Sequence, residues 1–82
     1  MVWEYILSEH KKLLDTSGLN CPLPIIRAKK ALDKLQSGDE LKVISTDPGS
    51  PKDFEEFAHQ YGHVLVESSE DRGSFYYRIK KA

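Results

Sequence analysis

One thiol dominates the chemistry open to this sequence. The stretch Asp15-Thr-Ser-Gly-Leu-Asn-Cys-Pro-Leu-Pro24 holds the single cysteine, Cys21, followed at once by a Pro-x-Pro pair. A proline in the first turn of a helix breaks no hydrogen bond, because N–H groups there have no intrahelical partner. Pro22 is therefore expected at the first helical position and Pro24 at the third, with Cys21 as the N-cap. Cysteine is not a favoured N-cap residue, so packing of the helix end does not explain its choice. The dipole and remaining N–H groups at a helix start favour negative charge, which biases a thiol there toward the nucleophilic thiolate. An arbitrary lone cysteine is more often a small buried hydrophobe. The Gly18 loop before it and the Pro-x-Pro start after it favour an exposed, rigidly mounted sulfur instead. Asp15 and Asp47 act against the thiolate if they lie close to it, and the sequence leaves the net shift open.

The elements that must position this thiol follow from periodicity. The run Lys11–Asp15 (KKLLD) reads as a short strand, and Thr16–Asn20 as a turn containing Gly18. A helix is predicted from Pro22 to about Gln36, with Ile25, Ala28, Ala31, Leu32 and Leu35 on one face and Gly38 placed to end it. Glu40–Thr46 reads as an interior strand, because Leu41 and Val43 face one side and Ile44 the other. After a loop at Thr46–Ser50, a second helix is expected with Ser50 as N-cap, Pro51 at the first position and Asp53 as a capping-box-like acid. Phe54, Phe57, Ala58 and Tyr61 form its core stripe, and Gly62 stops it. His63–Ser69 and Ser74–Lys80 read as a hairpin around Asp71, Arg72 and Gly73.

The order β-α-β-α-β-β implies an α/β (α+β) two-layer sandwich, a four-stranded mixed sheet with two helices on one face. A right-handed crossover would make the first two strands parallel. Their carboxyl-end loops, with Asp15–Cys21 on one and Asp47 and Pro48 on the other, would then meet at the edge where such sheets usually carry sites. Asp15 and Asp47 are expected to hold these loops through local backbone hydrogen bonds.

Composition narrows the function classes. The 82 residues make one domain, with Met1–His10 an N-terminal extension whose first eight residues suit a strand, a packed tail or a helical turn equally well. Hydrophobic residues at 39% and charged residues at 30% exclude both a membrane protein and a disordered chain. A formal charge of −1 argues against a dedicated duplex-DNA binder. One cysteine excludes an internal disulfide and a Cys-x-x-Cys oxidoreductase, and no four-ligand zinc cluster is visible. His59 and His63 lack a third ligand, and His10 stands alone. Phe75, Tyr77 and Ile79 alternate with Tyr76, Arg78 and Lys80, so strand packing accounts for these aromatics better than base stacking. Arg27, Lys30 and Lys34 form a basic line on the first helix, with Leu23 on the same line. It is placed opposite the apolar face and read either as a solvated surface or as a docking strip for an acidic protein.

The pattern Asp15-x-x-Gly18-x-x-Cys21-Pro22-x-Pro24, joined to Asp47-Pro48-Gly49-Ser50 with Asp53 and Phe54, resembles the signature of the TusA (SirA-like) sulfur carrier family. The resemblance covers about residues 11–81. It implies a persulfide carried on Cys21, with no metal or organic cofactor. It also implies a donor protein, either a cysteine desulfurase or a rhodanese-like protein, and an acceptor protein in tRNA 2-thiouridine formation, molybdenum cofactor synthesis or sulfur oxidation. A cytoplasmic monomer without membrane or direct DNA binding is expected. The alternative is a regulatory or RNA- or protein-binding module of the same fold, since fold does not settle function. A thiol redox sensor is disfavoured because there is no resolving cysteine.

Overall fold

A computed structural model describes residues 11–82. The N-terminal octet, left open in the sequence reading, lies outside them. The chain runs β1 (Lys11–Thr16), α1 (Leu23–Asp33), β2 (Glu40–Ser45), α2 (Ser50–Tyr61), β3 (Val64–Asp71) and β4 (Ser74–Lys80). The sheet order is β1-β2-β4-β3. β1 and β2 are parallel, with Leu14 opposite Val43, and the other pairings are antiparallel. β2 is thus an interior strand, as its two apolar faces require.

Both helices lie on the sheet face that presents Leu41, Val43, Tyr77 and Ile79. Ala28 and Leu32 of α1 and Phe54 and Phe57 of α2 close the core over them. Phe54 stacks on Tyr77 at 4.6 Å between ring centroids. A polar tie crosses the same layer: Ser50 Oγ and Tyr77 Oη share a hydrogen bond of 2.7 Å, both residues being buried. Ser50 is therefore not the N-cap of α2. Gly49 occupies that position, because the Ser50 hydroxyl is turned inward to the tyrosine.

Three further local readings change. α1 ends at Asp33, not Gln36, because Lys34 and Leu35 donate to the carbonyls of Ala31 and Leu32 in a tightened turn. Gly38 lies beyond that end, in the turn to β2, where its N–H meets the Lys81 carbonyl. Tyr61 is 44% exposed and outside the core. It lines the groove between the helices, where its ring lies against Phe57, His63 and the Lys29 ammonium.

The hairpin closes through Arg72 and Gly73, at φ 54° and 84°, the mirror-image turn that matches strand twist. Phe75 sits opposite Ser45, so the hairpin tip lies at the same end of the sheet as the carboxyl ends of β1 and β2.

Candidate functional site

Two loops at that end of the sheet build one constellation around Cys21. The first runs from Thr16 to Pro22. Asp15 Oδ1 accepts the Ser17 N–H at 2.9 Å, and hydrogen bonds from Ser17, side chain first and then backbone, hold the Asp15 carboxyl below its ordinary range. Gly18 follows at φ 84°, a conformation that costs other residues a steric penalty. Its N–H reaches across to Thr46 Oγ1 at 2.8 Å. The second loop answers through Asp47. One carboxylate oxygen accepts the Gly49 N–H at 3.3 Å, a local turn, and the other accepts the Cys21 N–H at 3.2 Å. The two loops are thereby stitched at Gly18–Thr46 and at Cys21–Asp47.

The helix start differs from its sequence reading. Pro22 is the N-cap, Leu23 the first helical residue, and the Cys21–Pro22 peptide is cis. Cys21 thus stands one residue before the cap, and its own N–H is committed to Asp47. The Leu23 N–H is committed to the Asn20 carbonyl, while Pro22 and Pro24 have none to offer. Few first-turn donors remain for the sulfur. Pro24 is buried beneath the turn, while Cys21, Pro22, Leu23 and Pro48 are exposed.

The electrostatics then favour the neutral thiol. Asp53, on the first turn of α2, joins Asp47 beside the sulfur, and the three ligand atoms lie within 4.8 Å of one another. A hydrogen-bonding contact with Asp53 pushes the Cys21 thiol up, helped by slight desolvation and by the charges of Asp53 and Asp47. Asp15 does not contribute to this shift. The bias toward thiolate expected from the helix start is outweighed by two carboxylates and by the loss of free N–H groups. The sequence pattern marks Asp53 only as a capping-box-like acid. Its place beside Cys21 follows from the two helix starts converging on one sheet edge, a signal available only once the parallel β1–β2 pairing is granted.

One thiolate and two carboxylates fall one ligand short of a closed tetrahedral zinc set, and both Asp47 oxygens already accept N–H groups. What the arrangement offers is an accessible sulfur with an adjacent proton acceptor. The sulfur opens on a groove of about 340 Å³ between the helices, lined by Ile25, Ile26, Phe57 and Tyr61. The basic residues Arg27, Lys30 and Lys34 are exposed and are not brought to this groove. They stand on the other flank of α1, facing β1. Among the described residues no helix is long and apolar enough to cross a membrane.

Known proteins similar to this chain include sulfur carrier proteins. A family model described as "Sulfurtransferase TusA" matches residues 12–81. The sulfur carrier protein TusA of Allochromatium vinosum is 55% identical over 76 residues, spanning 93% of this chain and 100% of that one. A putative sulfur carrier protein of Neisseria meningitidis is 56% identical over 66 residues, 80% of this chain and 89% of that one. Among solved structures, a SirA-like protein from Desulfitobacterium hafniense matches with a TM-score of 0.74 at 31% identity, covering 83% of this chain and 93% of that one.

Proposed function

The chain belongs to the TusA sulfurtransferase family, and from that premise we propose that it relays sulfane sulfur between two proteins as a persulfide on Cys21. The observation that carries this reading is the exposed Cys21 sulfur, held at the mouth of α1 by loops stitched to each other and flanked by Asp53. In the loading step the Cys21 thiolate attacks the outer sulfur of a donor persulfide. The new S–S bond forms on Cys21, the donor S–S bond breaks, and the donor leaves as a thiolate. In the unloading step an acceptor thiolate attacks the outer sulfur of Cys21–S–SH, and Cys21 returns as thiolate. No net oxidant is needed in either step.

The raised thiol pKa fits a carrier. At rest the sulfur is held as thiol, which slows indiscriminate alkylation and oxidation. The Asp53 carboxylate is in place to take the thiol proton when the donor arrives. With no second cysteine in the chain, the loaded persulfide has no internal thiol to expel it as sulfide. The donor is a cysteine desulfurase or a rhodanese-like protein, and the setting is the reducing cytoplasm, where a lone thiol stays available.

The test is intact-protein mass spectrometry after incubation with a cysteine desulfurase and cysteine. Wild-type protein is expected to gain one sulfur, localised to Cys21. Cys21→Ser should gain none while keeping the wild-type circular dichroism spectrum. Absence of any gain in wild type with either donor class, or equal gain in Cys21→Ser, overturns the proposal.

A further inference from the structure

A second groove, of about 190 Å³, lies between α1 and β1. Lys12, Arg27, Lys30 and Lys34 line it over an apolar floor that includes Leu14 and Ala31. None of these four cations forms an ion pair with a carboxylate among the described residues, whereas Lys29, toward α2, holds Asp33 at 3.0 Å. In a chain whose formal charge is −1, this is a concentrated positive strip with no carboxylate partner among the described residues.

The strip runs beside a strand edge that has no partner among the described residues. Among the described residues β1 pairs with β2 alone and is the outer strand of the sheet. Alternate residues of β1 therefore turn their N–H and C=O groups away from the sheet. A chain added there would lie about 4.8 Å beyond β1, with every second side chain directed toward the helix layer. Arg27 to Lys34 covers roughly 10 Å of helix, and same-face strand residues recur about every 6.7 Å. Two or three carboxylates of an added strand therefore fall within reach of the basic line. Among the described residues no aromatic side chain lines the groove, so nucleic acid bases would find no stacking surface there.

We infer that the α1–β1 groove receives an extended acidic segment of a partner protein, which adds to β1 as a fifth strand and sets its carboxylates against Lys12, Arg27, Lys30 and Lys34. This rests on the carrier reading for its purpose, because it supplies a hold on a donor or acceptor while leaving Cys21 uncovered. Cys21 lines the groove between the two helices, whereas Arg27 lines the groove beside β1. A strand held at β1 therefore leaves the sulfur's own groove open.

The probe is an eight-residue peptide of alternating Glu and Val, titrated into ¹⁵N-labelled wild-type protein with no sulfur donor present. Amide shifts are expected in residues 11–16 and 27–34, with slowed hydrogen exchange in β1. Arg27→Glu with Lys30→Glu should weaken binding about tenfold, from the loss and reversal of exposed ion pairs. Unchanged β1 exchange at saturating peptide overturns the inference. So does tighter occupation of the groove by a uridine octanucleotide, which would make it a nucleic acid surface. Persulfide loading is measured separately. Peptide failure with normal loading sinks the groove alone, and failed loading with normal peptide binding sinks the carrier reading alone.

Discussion

Replacing Asp47 by Ala should move two properties in opposite directions. Its carboxylate accepts the Cys21 N–H at 3.2 Å and the Gly49 N–H at 3.3 Å. Both contacts are at the long end of the hydrogen-bond range, and water can reach these loops, so each belongs at the low end of the usual net contribution. Together they amount to about 1 kcal/mol. For a domain of this size that lowers the melting temperature by roughly 4–8 °C. The Asp47 charge also helps to raise the Cys21 thiol. Its removal lowers the thiol pKa, so the fraction of thiolate at neutral pH increases. Urea unfolding followed by far-ultraviolet circular dichroism reads the first effect. The pH dependence of iodoacetamide alkylation reads the second, and its midpoint should fall. Asp47→Asn keeps an oxygen acceptor but no charge, so its midpoint should fall similarly with a smaller loss of stability. A midpoint that stays or rises, or unchanged stability in Asp47→Ala, would refute the stitched-loop account.

Asp53→Asn should shift the alkylation midpoint further down than Asp47→Ala, since Asp53 is the larger cause of the raised thiol. A smaller shift than at Asp47 would count against Asp53 as the principal neighbour of the sulfur. Tyr77→Phe strands the buried Ser50 hydroxyl and should cost about 1–3 kcal/mol. Adding Ser50→Ala should recover part of that, and strictly additive costs in a denaturation cycle would show that the 2.7 Å bond is not coupled.

What the sequence made legible was whatever repeats. Leu41, Val43 and Ile44 marked an interior strand, and Phe54, Phe57 and Ala58 marked the buried face of α2, because each signal is summed over several residues. Single-residue readings at helix ends fared worse, since tertiary partners compete there with local caps. Ser50 had a buried tyrosine hydroxyl to meet, and Gly49 took the cap. Tyr61 kept the helical spacing of its stripe but lies in the open groove between the helices, beside Lys29. Asp15 and Asp47 were legible as loop holders because Asx turns are local. The longer reach of Asp47 to Cys21, 26 residues away, was not. Asp53 is 32 positions from Cys21, and only the meeting of two helix starts makes them neighbours. The basic line was visible at its helical spacing. Which flank of α1 it occupied depended on how the helix rolled onto the sheet, with Ala31 turned toward β1 and Ile25 toward α2.

The turn at Arg72 and Gly73 shares a rim with the sulfur. The Asp71 and Arg72 side chains of this corner are largely exposed. Short exposed corners tolerate substitution and insertion, whereas the loops around Cys21 are fastened to each other. A change of side chain at the corner therefore alters that end of the surface without loosening the loops that hold the sulfur.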